Sequence, residues 1–330
     1  MPKVVRFHSL GGPEVLQYDE LPSREPGAGE VRLRVQAIGL NRAESMYFHG
    51  EYFEQAKLPS LLGYEAAGVV EAVGPDVDKS WLGKQVASVP PFSMNEYGVA
   101  GEVAIVPANL IGEYPAKLSP AEGAAIWMQY LTAYGALVRY AQVKKGDFVL
   151  ITAASSSVGL AAIQIAKAEG ATAIAATRTS SKKKELLELG ADHVIAFEEE
   201  DLVARVKEIT GGQGVRVTFD PVAGPLLDKL VDAASIYGII IEYGILDSRT
   251  APYPVFAAMP KWLTIRAYTL GEFTPDPKQL APVLKYVNER LEDGRFEVKI
   301  AKTFPLTEIT EAYRYLLSNT QIGKVVVTVP

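Results

Sequence analysis

The chain has 330 residues, 48% of them hydrophobic and 22% charged, with a net charge of −6; it can bury a substantial core as one large or two moderate globular domains. The acidic balance argues against sequence-independent nucleic-acid binding, which needs a basic face, and no apolar run approaches the roughly 20 residues of a membrane span. With no cysteine there is no disulfide, no thiolate nucleophile and no Cys-containing zinc site. His8, His49 and His193 are widely separated with no H-x-x-x-H pair, so histidines do not point to zinc either. The opening MPKVVRFHSL lacks the long apolar core of a signal peptide, and a cytoplasmic location is expected.

From Val4 to about Pro107 the pattern is β-rich. Short runs at Val4 to Phe7, Val15 to Tyr18, Val31 to Ile38, Ala66 to Val73, Gln85 to Val89 and Val99 to Val106 are separated by Gly and Pro turns, which predicts a barrel-like all-β unit. A short helix is expected at Arg42 to His49, and a helical pattern runs from Pro120 through Val138. Beyond Gly146-Asp147 strands and helices alternate: strands at His193 to Phe197, Val215 to Phe219, Ile236 to Tyr243 and Leu263 to Tyr268, helices at Lys182 to Leu189, Asp201 to Thr210 and Pro225 to Ala234. Such alternation predicts an α/β, doubly wound parallel sheet. Helix Gln279 to Leu291, a strand near Val298, helix Glu308 to Leu317 and strand Lys324 to Val329 complete the chain.

The chain is organised around Phe148 to Arg178. An apolar run (Phe148 to Thr152), a small-residue turn (Ala153 to Gly159), a helical stretch (Val158 to Glu169) and a β-rich run (Thr172 to Thr177) make one βαβ unit. At the six positions of a G-x-G-x-x-G fingerprint the chain reads Ala154, Ser155, Ser156, Ser157, Val158, Gly159. Only the glycine needed for close helix–strand packing survives, although Ala and Ser still let a phosphate approach. By itself the turn also fits an ordinary α/β core segment. After the second strand an NAD site carries an acidic residue for the ribose 2′-hydroxyl; here stand Thr177 and Arg178, then Lys182, Lys183 and Lys184. A cation there suits a 2′-phosphate, and the alternative is a solvated basic helix start capped by Ser180 or Ser181.

These stretches, with LNRAE at 40–44, GYEAAGVVEAVG at 63–74, LTAYGAL at 131–137, LGADHVI at 189–195, FDPVAG at 219–224 and IGKVVV at 322–327, resemble the medium-chain dehydrogenase/reductase superfamily, specifically its zinc-independent quinone oxidoreductase branch. The resemblance implies a GroES-like β-rich catalytic domain from 1–124 and 267–330 and a Rossmann NADPH-binding domain at 125–266. It also implies a homodimer; the acidic balance and the lack of an apolar span are what argue against a nucleic-acid or membrane partner. The zinc-dependent relatives place a cysteine where Asn41 stands and a histidine where Tyr64 stands; Glu65 remains, and one carboxylate is not a zinc site.

Without a Lewis acid the implied chemistry is hydride transfer to an electrophilic carbon of a quinone or an α,β-unsaturated carbonyl (enone or enal). Donors that stabilise the developing anion then matter, and the candidates by position are Asn41, Tyr52, Tyr64 and Thr132. Tyr52 could relay a proton; Tyr64 could merely fill the former ligand space, and Asn41 could cap the 42–49 helix. Some family members carry tyrosine where this chain has Met46; Tyr47, about 100° further round a helix, does not substitute for it. His49 is a weaker candidate donor. For the coenzyme the resemblance assigns Ser156, Ser157 and Val158 to the pyrophosphate turn, Arg178 and Lys182 to the 2′-phosphate and Phe197 to the adenine. Pro221, Tyr243, Gly244 and Ile245 go to the ribose and nicotinamide, with Asn41 and Thr132 nearby; Asp220 is expected to be structural. Alternatives are an enoyl-thioester (acrylyl-CoA-type) reductase, or a crystallin-like or RNA-binding nucleotide-holding protein without turnover.

Overall fold

The computed structural model describes residues 1–330, which divide into two compact units, Met1–Met128 with Phe273–Pro330, and Gln129–Glu272. The first opens with β1 (Lys3–Phe7), β2 (Leu16–Glu20) and the ten-residue β3 (Glu30–Gly39). Residues of β3 alternate between buried and partly exposed along most of its length, the period-2 pattern of a half-buried strand. Helix α1 (Arg42–His49) follows and ends at Gly50 in the left-handed region, as its φ of 80° requires. Then come β4 (Ser60–Leu61), β5 (Glu65–Val73), β6 (Gln85–Ser88), α2 (Met94–Tyr97), β7 (Val103–Pro107), β8 (Ile111–Glu113) and α3 (Pro120–Gly123).

Two expectations shift here. The run Val99 to Val106 becomes a strand only from Val103, because Ala100 and Gly101 are held by backbone bonds and a bridge to β1. The helical pattern from Pro120 to Val138 breaks into α3, α4 (Trp127–Tyr134) and a wider π-type turn over Gly135–Tyr140. Ser119 stops any upstream extension by capping α3 while Glu122 reaches back to the Ser119 N–H, 2.7 Å.

The second unit holds β9 (Phe148–Ile151), α5 (Ser157–Ala168), β10 (Thr172–Thr177), α6 (Lys183–Glu188), β11 (His193–Ala196), α7 (Leu202–Ile209), β12 (Val215–Asp220), α8 (Leu226–Ala233), β13 (Ala234–Glu242), α9 (Val255–Ala258) and β14 (Thr264–Ala267). The six strands form one sheet in the order β11-β10-β9-β12-β13-β14, every pairing parallel. This is the doubly wound 3-2-1-4-5-6 arrangement of a Rossmann fold. Leu150, Ile174, Ile195, Leu202, Val206, Leu230 and Ile240 form one buried cluster on the face covered by α7 and α8; trimming such a residue to alanine costs about 2–5 kcal/mol. All six strands run the same way, so the turns that follow them leave one edge of the sheet.

The chain returns to the first unit through α10 (Pro277–Glu292), β15 (Ile300–Pro305), α11 (Ile309–Leu317) and β16 (Lys324–Thr328). The strand expected near Val298 begins two residues later. The unit's main sheet runs β15-β16-β3-β5-β6-β8, with β7 also paired to β3, and β1, β2 and β4 form a smaller sheet. No helix is long and apolar enough to cross a membrane.

Candidate functional site

The expected site residues fall into two groups, one in each unit. In the first unit Asn41 ends the connection from β3 to α1 and is buried. Glu44, three residues on, accepts from the Asn41 backbone N–H (2.8 Å), from the Tyr64 N–H (2.9 Å) and from the Tyr313 hydroxyl (2.7 Å). The Asn41 amide is fully engaged: its nitrogen donates to Gly39 O (3.1 Å) and contacts both Glu44 (3.2 Å) and Glu65 (3.3 Å), and its oxygen accepts from Lys324 Nζ (2.7 Å). Lys324, only 1% exposed, is also ion-paired with Glu65, whose other oxygen accepts from the Met128 N–H (2.8 Å). Burial raises the Glu44 carboxyl above its ordinary range, opposed by the donors that surround it.

Sequence reasoning missed Glu44 and Lys324. The signals were present: Asn41-x-x-Glu44 is a capping-box spacing, and a lysine inside the apolar run GKVVV needs a buried partner. The Asn41 amide hydrogens are taken up by Gly39 and the two carboxylates, and its backbone N–H is held by Glu44 at the start of α1. Asn41 and Glu65 thus hold a lysine ammonium between them, and no group of three or more His, Cys, Asp or Glu side chains is placed to hold a metal.

Tyr64 is buried, and its hydroxyl donates to that of Tyr52, 3.3 Å away. Tyr52 is partly exposed and lies beside Phe53, which is 80% exposed. Burial raises both phenols above their usual range, and each shifts further through nearby carboxylates. Both therefore remain neutral donors through physiological pH. Because Tyr52 accepts from Tyr64, its own proton is directed elsewhere. Tyr47 is fully buried, bonded to Ser60 (2.7 Å) and Asn95 (2.8 Å) and pushed up to about 12 mainly by burial; it belongs to the packing. His49 is exposed, with its Nδ1 2.6 Å from the Ser45 carbonyl oxygen.

The second group lies in the other unit, at the edge where the turns leave the parallel sheet. After β9, Ala153 adopts a left-handed φ of 43° and Ser156 caps α5, accepting from the Gly159 N–H at 3.0 Å. A Cβ on Gly159 would lie 2.6 Å from the Ala154 carbonyl oxygen, so this glycine is required by the turn itself. Ser157 and Val158 open the helix, whose first N–H groups and positive dipole end favour an anion. After β10, Arg178 is exposed, and Lys182 donates to Ser155 of the first turn at 3.1 Å. Burial and then the Arg178 charge lower the Lys182 pKa, opposed by Glu185.

After β11, Phe197 packs half-buried against the core cluster. After β12 and β13, Pro221, Tyr243, Gly244 and Ile245 form paired turns: Leu246 N donates to Pro221 O (2.9 Å) and Tyr243 N to Asp220 O (2.9 Å). A Cβ on Gly244 would meet Pro221 Cβ at 2.9 Å. The Tyr243 ring stacks on Phe219 with centroids 3.9 Å apart. Thr132 is buried in α4 of this unit. The edge thus collects the five turns expected to touch a dinucleotide, while Asn41 lies in the other unit.

The family model described as "Alcohol dehydrogenase GroES-like domain" matches residues 27–153, and that described as "Zinc-binding dehydrogenase" matches 157–288. The chain is 31% identical over 333 residues to quinone oxidoreductase 1 of Escherichia coli (strain K12), covering 97% of each chain. It is 30% identical over 327 residues to 2-haloacrylate reductase of Burkholderia sp, again covering 97% of each. Among solved structures, Escherichia coli quinone oxidoreductase complexed with NADPH matches with a TM-score of 0.90 at 30% identity, covering 99% of both chains.

Proposed function

The chain belongs to the medium-chain dehydrogenase/reductase superfamily, in its zinc-independent quinone oxidoreductase branch, and on that premise we propose that it is an NADPH-dependent oxidoreductase reducing a quinone or an α,β-unsaturated carbonyl. The observation that carries the coenzyme reading is the cationic pair Arg178 and Lys182 at the end of β10, with Lys182 held to the Ser155 turn. Arg178 offers a planar fork to a phosphate and Lys182 a point charge. Ser156, Ser157 and Val158 present the start of α5 to the pyrophosphate, and Phe197 packs against the adenine. Pro221, Tyr243, Gly244 and Ile245 hold the nicotinamide half, with Thr132 near it. Bound NADPH supplies the hydride.

The protein's part in the chemistry is to receive charge. Tyr52, backed by the Tyr64 hydroxyl, donates to the oxygen that becomes anionic as the acceptor is reduced. Asn41 serves by holding Glu65, Glu44 and Lys324 in one network rather than by donating to substrate. Nothing in this geometry favours the enoyl-thioester reading or a role without turnover. The reading is tested by an NADPH-oxidation screen across 1,2- and 1,4-quinones, 2-enals, 2-enones and 2-enoyl thioesters. Turnover of a quinone or enone is the expected result, and turnover confined to thioesters would replace the substrate assignment.

We also propose that two copies associate along β14. It is the sheet's outer strand, and Tyr237, Tyr253, Phe256, Met259 and Trp262 beside it are all more than half exposed, an apolar group of the kind that marks an interface. Sedimentation should give twice the chain mass, and Trp262→Asp should shift it toward one chain. A cytoplasmic location accords with the cysteine-free composition and is checked by cell fractionation.

A further inference from the structure

The mechanism leaves one buried acidic group unused. Asp220 and Glu242 are register partners at the ends of the parallel strands β12 and β13, so both side chains stand on the same face of the sheet. Asp220 is fully buried; one oxygen accepts from the Thr152 hydroxyl and the other from the Ala223 N–H at 2.6 Å. Both carboxyl oxygens of Glu242 are buried without a hydrogen-bond partner. No cation offsets the pair. From β14 the residue opposite Glu242 is Ala267, and Arg266 is paired with Glu272. From the turn after α9, Lys261 donates to the Val231 and Asp232 carbonyls; on α8, Asp228 and Lys229 are exposed. Tyr243, just past the end of β13, is a phenol whose own titration is raised by burial first and then by the Asp220 charge.

We infer that Glu242 is a positioning residue carried as a neutral carboxylic acid at physiological pH, donating its proton to Asp220. The donated bond completes a chain from Thr152 through Asp220 to Glu242 across the ends of β9, β12 and β13. That chain fixes the turns at 221–223 and 243–245. Desolvation first, and then repulsion from Asp220, push the Glu242 pKa up to about 9. The geometry agrees, because a carboxyl with two buried unpartnered oxygens next to a carboxylate needs a proton to gain a bond. Above that pH the proton goes to solvent, two carboxylates face each other, and the turns they anchor lose their brace. The consequence for coenzyme affinity rests on the coenzyme reading above; the shared proton itself does not.

The test compares the wild type with Glu242→Gln, which keeps a neutral donor but has no proton to lose. NADPH and NADH dissociation constants are measured by coenzyme fluorescence from pH 7 to 10. The two proteins should bind alike at pH 7, and by pH 10 the wild type should be weaker by about tenfold, the size of one hydrogen bond to a charged group. Lys182 is common to both proteins and cancels. Parallel pH profiles would overturn the inference while leaving the coenzyme site standing. If neither coenzyme binds at any pH, the coenzyme reading falls, and the apo melting temperatures decide the proton.

The folded-state pKa of Glu242 exceeds its unfolded value, so folded protein holds a proton that unfolded chain has released. Stability is therefore lost as pH rises from about 4.5 to about 9. The glutamine variant should gain on the wild type across that window and stop gaining above it; a pH-independent difference overturns the inference. Asp220→Asn, a second route, removes the repelling charge and should move the wild-type alkaline midpoint down; an unmoved midpoint counts against it.

Discussion

The polar groups of the two units are arranged on opposite principles. Around Asn41 the network is closed: Glu44, Glu65, Lys324 and Tyr313 use one another and nearby backbone N–H groups. At the edge of the parallel sheet it is open. Arg178 and Lys182 repel each other, and Asp220 raises the Glu242 pKa so that the second carboxyl keeps its proton. A closed network holds structure, whereas like charges kept together hold energy that a ligand or a proton releases. Position alone would have put Asn41 and Arg178 in the same functional class, and their partners separate them.

The sharpest way to break the contrast is to open the closed network. Lys324→Met leaves Glu65 buried without its cation and should cost about 3–5 kcal/mol of stability, read as a fall in the chemical-denaturation midpoint. A loss below about 1 kcal/mol, the ceiling for an exposed pair, would mean that the network is not closed. Next in size is Tyr52, whose hydroxyl accepts from Tyr64 and keeps its own proton to give. Tyr52→Phe should lower turnover by up to roughly 100- to 1,000-fold, the range for removing one oxyanion donor, with coenzyme affinity unchanged. Because burial raises the Tyr52 pKa from 10, the wild type should show no loss of activity from this group below that pH. Unchanged turnover in the variant removes Tyr52 from the chemistry. Tyr64→Phe acts only through Tyr52 and should lose roughly two- to tenfold, one neutral hydrogen bond; a loss as large as that of Tyr52→Phe would make Tyr64 the direct donor.

Much of the open edge was legible in the sequence, because its logic is local. A small-residue turn, a glycine three positions into the helix start and a basic residue after the second strand can be read within thirty residues. The alternation of strands and helices likewise implies a parallel sheet, although strand order and register emerge only on folding. The closed network is nonlocal: Lys324 meets Asn41 from 283 residues away, and no spacing rule links them. Glu242 was hidden for a different reason. It ends an apolar strand, and only the register against Asp220 shows that two carboxyls meet. Met46 and Tyr47 show the limit of helical phase: the angle ruled out substitution, but Ser60 and Asn95 as Tyr47 partners required the folded chain.

The claim at the centre of this account is that the open cationic pair reads a coenzyme phosphate. Arg178→Ala with Lys182→Ala is the direct test, measured as NADPH and NADH dissociation constants at low and high salt. Charge-assisted hydrogen bonds contribute about 1.5–3 kcal/mol each, and the exposure of Arg178 pulls the pair toward the lower end. NADPH binding should therefore weaken by tens-fold or more, the wild-type preference for NADPH should shrink as salt rises, and NADH binding should stay nearly unchanged. Equal weakening of both coenzymes would contradict the account, because Arg178 and Lys182 would then hold the turn rather than read the phosphate.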